Sequence, residues 1–122
     1  MIIAIVTFSP RHRSALTAEQ QRALFEATAP PYLEIPGLLR KYFIGNESRA
    51  GGIYEWRSRE EADAFYTEAW RLRITDTYGT ELRIDWFNAP CVVDAEGGRI
   101  KYASEVADPL GSQPPHAGRG PA

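Results

Sequence analysis

Tyr66, Trp70 and Arg73 are spaced four and three residues apart, so on a helix they share one stripe. Two aromatic rings beside a guanidinium can stack a flat ligand and hold an oxygen anion at its edge. Further residues of matching chemistry lie in alternating runs: Arg40 with Tyr42, Tyr54 alone, and Arg83 with Asp85. Arg40, Arg73 and Arg83 are suited to an enolate or phenolate oxygen. Asp85 and Tyr54 can move a proton where their surroundings shift the pKa. Trp70, Arg73 and Asp85 are the catalytic candidates. Arg40, Tyr42, Tyr54, Tyr66 and Arg83 are the substrate-binding candidates. Asn46 and Asn88 can orient a carbonyl.

Each of these residues has a plainer reading. Trp70 and Tyr66 can be packing groups at a core edge. Arg40 and Asp85 sit mid-strand, where a cross-strand ion pair explains them. Arg73 near a helix end complements the dipole. Asn88 precedes Ala89-Pro90 and suits a turn. Cys91 has no histidine near it in sequence and reads as a buried structural thiol. His12, between Arg11 and Arg13, reads as a solvated loop residue.

These side chains need strands and helices to position them. Pro36-Gly37 opens the run Leu38 to Ile44, and a polar loop from Gly45 to Arg49 separates it from Ala50 to Trp56. The two runs read as a β-hairpin. Strict alternation puts Leu38, Arg40, Tyr42 and Ile44 on one face, with Leu39, Lys41 and Phe43 on the other. Ile53 and Glu55 likewise oppose Tyr54 and Trp56. Large groups on both faces call for a layer on each side. Gly51-Gly52 is no phosphate loop; it permits a bulge or close packing.

Ile2 to Phe8 is a continuous apolar run that fits a central strand. Thr17-Ala18-Glu19-Gln20 is a capping box, so a helix is expected to about Thr28, with Leu24, Phe25, Thr28 and Tyr32 as its buried stripe. Pro30-Pro31 stops it, and one more turn follows. Ser58-Arg59-Glu60-Glu61 is a second capping box, with a helix expected to about Ile74. Its core face reads as Ala62, Phe65, Ala69 and Leu72. Tyr78-Gly79 is a stop signal. Leu82, Ile84 and Trp86 then alternate with Arg83, Asp85 and Phe87 as a fourth strand. Cys91 to Asp94 reads as a short extension, an arm toward a partner, and Glu96 to Arg99 as a turn.

The order strand, helix, strand, strand, helix, strand is the split βαβ pattern, an α+β ferredoxin-like fold. It has a four-stranded antiparallel sheet with both helices on one face. The other face needs cover, most simply from a second copy of the chain. One domain over residues 1–103 and a Pro/Gly-rich tail over residues 104–122 are expected.

Composition narrows the function. The chain has 122 residues, 43% of them apolar, enough for one packed core. Net charge is −2 with no basic block, which argues against nucleic acid. One cysteine and two separated histidines argue against a metal centre or an internal disulfide. The apolar start is too short for a membrane span, so a soluble cytoplasmic protein is expected.

Pro36-Gly37-Leu38-Leu39 with Lys41, then Ala50-Gly51-Gly52-Ile53-Tyr54, then Arg73 late in a helix, then Asn88-Ala89-Pro90, resembles the YdhR-like monooxygenase family. Its members carry the name monooxygenase by analogy, within the dimeric α+β barrel superfamily. The resemblance covers about residues 2 to 94. It implies a homodimer whose sheets close face to face, with an apolar pocket in each subunit between sheet and helices. It implies oxidation of a small aromatic or quinone-like compound by O₂ without metal or flavin. The alternative is a non-catalytic barrel that binds a small hydrophobic ligand. Some members carry a histidine where Trp70 stands and a tryptophan where Arg40 stands; the missing histidine argues against haem.

Overall fold

The computed structural model describes residues 1–11, 15–79 and 81–103. His12, His116 and the tail expected over residues 104–122 lie outside them. Strand β1 (Ile2–Phe8) is central and pairs antiparallel with β3 (Ala50–Trp56) and β4 (Arg83–Asn88). β2 (Leu38–Gly45) pairs with β3, and the sheet order is β2-β3-β1-β4. This is the ferredoxin-like α+β arrangement expected from the element order.

Helix α1 (Ala18–Thr28) starts as the capping box requires. Gln20 donates its backbone N–H to Thr17 Oγ1 at 3.0 Å, and Thr17 N–H donates to Gln20 Oε1 at 2.9 Å. A 3-10 turn over Pro30–Glu34 follows. No α1 residue is buried, against the expected buried stripe. Leu24 and Thr28 are exposed; Phe25 and Tyr32 are half-buried. The helix stands over an open space instead of a filled core.

The second helix is broken. α2 (Arg59–Phe65) ends at Tyr66, and α3 (Glu68–Tyr78) begins after Thr67, whose hydroxyl accepts the Trp70 N–H at 3.1 Å. A mid-sequence threonine thereby becomes a cap. The break re-phases α3. Trp70 is buried, while Leu72, expected in the core, is 59% exposed and Ala69 is exposed too. Gly79 ends α3 in the left-handed conformation, φ 76°.

β2 carries a bulge between Leu38 and Arg40, which corrects the strict alternation. Leu38 pairs with Trp56 and packs on the core, while Arg40 pairs with Glu55 on the other face. β5 (Cys91–Asp94) is no free arm. It pairs with β6 (Arg99–Tyr102), a strand the sequence reading missed, as a hairpin of the same chain. Gly98, φ 70°, lies in its turn. Cys91 is exposed, not a buried thiol. Lys101 of this hairpin comes within 3.9 Å of Glu55, a carboxylate only 7% exposed on the face away from the helices.

The core lies between sheet and helices, around Ala4, Val6, Tyr54, Trp56, Ala62, Trp70 and Leu82. Gly51 is required within the sheet itself: a Cβ would stand 1.8 Å from the Val6 carbonyl oxygen. The missing side chain lets β1 and β3 close. No helix of the described residues is long and apolar enough to cross a membrane.

Candidate active-site cleft

The registers sort side chains into cross-sheet rows. Lys41, Tyr54, Ala4 and Trp86 form one row on the helix side; Phe43, Gly52, Val6 and Ile84 form the next. The opposite side carries the rows Arg40–Glu55–Ile3–Phe87, Tyr42–Ile53–Ile5–Asp85 and Ile44–Gly51–Thr7–Arg83.

On the helix side a cleft of about 640 Å³ opens between the sheet, α1 and α3. That is the size of a small-molecule site. Phe8, Val6, Tyr54 and Phe43 form its floor, Leu24 and Phe25 one wall, and Trp70, Ile74 and Tyr78 the other. Phe8 stacks on Tyr78 with centroids 4.4 Å apart. Arg11 joins the end of β1 to the end of α3: its Nη2 donates to the Gly79 carbonyl at 3.0 Å, and its N–H to that of Tyr78 at 3.0 Å.

Trp70 stands in the cleft wall and Tyr54 in its floor. Tyr66 sits behind it, where its hydroxyl accepts the Trp56 indole N–H at 3.1 Å and its ring meets Trp70 at 4.9 Å. Arg73 is exposed on α3; burial raises the pKa of the Tyr32 phenol, and the charge of Arg73 offsets only a small part of that rise. Arg40, Tyr42, Arg83 and Asp85 are on the far side of the sheet. Asp85 is paired there at 2.9 Å with Arg83 of its own strand, not with a residue of a neighbouring strand as expected. Asn46 Oδ1 accepts the backbone N–H groups of Ser48 at 2.9 Å and Arg49 at 2.7 Å, a turn role. Asn88 is exposed at the end of β4. The sequence candidates therefore divide between two faces. Asp85 and the three arginines are not among the described residues that line the cleft.

The one charged side chain among those lining residues is Lys41, which the sequence reading used for strand alternation and for the family motif but did not name as a site residue. Its Nζ lies 3.6 Å from the Tyr32 ring centroid, 3.9 Å from that of Phe43 and 4.5 Å from that of Tyr54. No carboxylate among the described residues pairs with it. Burial without a counter-charge lowers its pKa to about 7. Gly52 makes room for it: a Cβ there would stand 3.0 Å from Lys41 Cε. Burial also pushes the Tyr54 and Tyr66 hydroxyls well above the ordinary phenol range. Near neutral pH they are hydrogen-bond donors, not bases. The signal in the sequence was a lysine alternating with Phe43 on a strand whose neighbour carries Tyr54.

No group of three or more His, Cys, Asp or Glu among the described residues is arranged to hold a metal ion. No family model matches the chain, and no curated protein matches it either. A solved structure does, from Deinococcus radiodurans, named a "putative antibiotic biosynthesis monooxygenase". It superposes with a TM-score of 0.54 at 16% identity, over 77% of this chain and 97% of that one. The two chains share a fold. It is the ferredoxin-like α+β fold expected from the order of elements. A mutant of SnoaB, a cofactor-independent oxygenase from Streptomyces nogalater, also aligns, with a TM-score of 0.46 at 14% identity over 72% of this chain and 91% of that one.

Proposed function

We propose that the protein is a cofactor-independent monooxygenase of the YdhR-like branch. It acts as a cytoplasmic homodimer on a small aromatic or quinone-like compound. The observation that carries this reading is the aromatic-walled cleft of about 640 Å³ with one half-buried lysine amine at its edge. The fold shared with a protein named as a monooxygenase supports it by analogy.

The chemistry asks little of the protein beyond binding and electrostatics. An aromatic with an acidic methylene, such as an anthrone, loses a proton to become a carbanion. The carbanion passes one electron to O₂, the radical pair joins as a peroxide anion, and the proton released in the first step returns to give the hydroperoxide. Loss of water leaves the ketone, so CH₂ and O₂ become C=O and H₂O. Trp70, Tyr54 and Tyr32 stack the ring system and exclude water. Arg73 stands at the edge of α3 for an outlying oxygen. Tyr66 supports Trp70 from behind. Lys41 supplies positive charge where the anion forms.

Arg40, Tyr42, Arg83 and Asp85 belong to the face that meets a second copy in this reading. That face also carries Ile3, Ile5, Ile53 and Ile44, and Tyr42 and Phe87 remain 53% and 55% exposed on it. Apolar groups in that number favour a partner.

A second reading, a barrel that binds a hydrophobic ligand without turnover, is favoured by the absence of a carboxylate among the described lining residues. Oxygen uptake separates the two. Anthrones and naphthohydroquinones are incubated with the purified protein in an oxygen electrode. The oxygenase reading expects one O₂ consumed per anthrone and a slower rate in Trp70→Phe. A ligand that binds in the cleft without any O₂ uptake refutes it and leaves the binding module.

A further inference from the structure

We infer that Lys41 is a catalytic base that takes the proton of a weakly acidic hydroxyl, phenol or enol, on an aromatic ligand bound in the cleft. The inference deepens the proposed oxygenase and rests on the same cleft. The step is a single proton transfer. The ligand O–H bond breaks, its electron pair stays on oxygen, and the proton forms an N–H bond at Nζ. An ammonium–phenolate pair results, with the ammonium still over the rings of Tyr32, Phe43 and Tyr54.

The geometry sets up both halves of this step. The amine lines the cleft and has no carboxylate partner among the described residues, so nothing there holds it permanently charged. Three aromatic faces then favour the ammonium once a phenolate is beside it. The floor is cut away at Gly52, so the side chain lies along the sheet. Other titratable groups face it from each neighbouring element. They are the phenols of Tyr32, Tyr54 on β3 and Tyr78 on α3, and Glu26 on α1, the last already paired with Arg22 at 3.1 Å; Arg73 on α3 acts on Tyr32 by its charge and does not line the cleft. Arg40, next in sequence, points to the other face of the sheet. Burial raises Tyr32 and Tyr54, so neither phenol competes as the base.

The probe is 2-naphthol, with 2-methoxynaphthalene as the partner that has no proton to give. Bound to the wild-type protein at pH 8, 2-naphthol is expected to show the absorption band of the naphtholate. Its affinity is expected to be level between pH 7 and the ligand's own pKa and to fall about tenfold per pH unit below pH 7, as Lys41 becomes protonated. Lys41→Met binds 2-naphthol in its neutral form with no such slope. In Lys41→Arg the cation is permanent, so affinity instead rises about tenfold per unit up to the ligand's own pKa, near 10 for a phenol. Methoxynaphthalene shows none of these slopes. A neutral spectrum in the wild type, with both probes binding at all pH values, overturns the role of Lys41 and leaves the oxygenase reading standing. Binding of neither probe refutes the cleft and both readings with it. Should the variants not fold, the side-chain nitrogen of Lys41 is titrated directly by NMR in the wild type; the chain has one other lysine, Lys101. A Lys41 midpoint at the ordinary lysine value overturns the inference.

Discussion

Replacing Lys41 by methionine is expected to stabilise the protein, although it removes a residue assigned to chemistry. The folded chain holds Lys41 at about 7 against an ordinary 10.5. A gap of that size in a dry site corresponds to roughly 5 kcal/mol. Lys41 is only half-buried, and solvent screening cuts this to about 1–3 kcal/mol. Methionine keeps the length of the stem and fills the same space among the rings of Tyr32, Phe43 and Tyr54. The sign follows from proton counts. Between pH 7 and 10.5 the unfolded chain carries the Lys41 proton and the folded chain does not, so wild-type stability rises with pH across that window. Below pH 7 both states are protonated, and the folded state bears the full cost of a buried charge. Tyr54 and Tyr66 act in the opposite sense. Their raised values mean stability is lost as pH climbs through the unfolded phenol value of 10.0, so readings stop at pH 9. Urea unfolding of both proteins at pH 6, 7, 8 and 9 tests this. The methionine variant is expected to be more stable by about 1–3 kcal/mol at pH 6, with the advantage shrinking toward pH 9. A variant less stable than wild type at pH 6, or an unchanged pH slope, refutes the argument.

Two further outcomes test the packing that holds the cleft. Tyr66→Phe removes the acceptor of the Trp56 indole N–H and leaves a buried donor unpaired, at a cost of about 1–3 kcal/mol by urea midpoint; no change in midpoint would mean that hydrogen bond contributes nothing. Gly51→Ala forces a Cβ to 1.8 Å from the Val6 carbonyl and is expected to destabilise by more than about 3 kcal/mol. Gly45→Ala, with its nearest neighbour at 3.6 Å, is the tolerated control in the same thermal melt.

The local signals in the chain were strong because they are short-range. Thr17 to Gln20 places a helix start through contacts three residues apart, and Tyr78-Gly79 places an end through backbone conformation alone. The alternation of Leu82, Ile84 and Trp86 with Arg83, Asp85 and Phe87 set the two faces of β4 before any partner was known. These signals, with the order of elements, were enough for the ferredoxin-like sheet.

What the chain by itself determined was thus the set of elements, their order and most of their faces. Only the tertiary structure decided which face is the site. Arg40 looked equivalent to Lys41 in composition, but one bulge at Leu39 and the register with β3 turned Arg40 outward and Lys41 toward the helices. The break at Thr67 turned Trp70 inward and Leu72 outward, because capping competes locally with a continuous helix and packing selects the winner. Lys41 became a candidate base only through Tyr32, Phe43 and Tyr54, which stand 9, 2 and 13 residues away and meet at its Nζ. Desolvation is a sum over neighbours brought together by folding, so no spacing along the chain could have announced it.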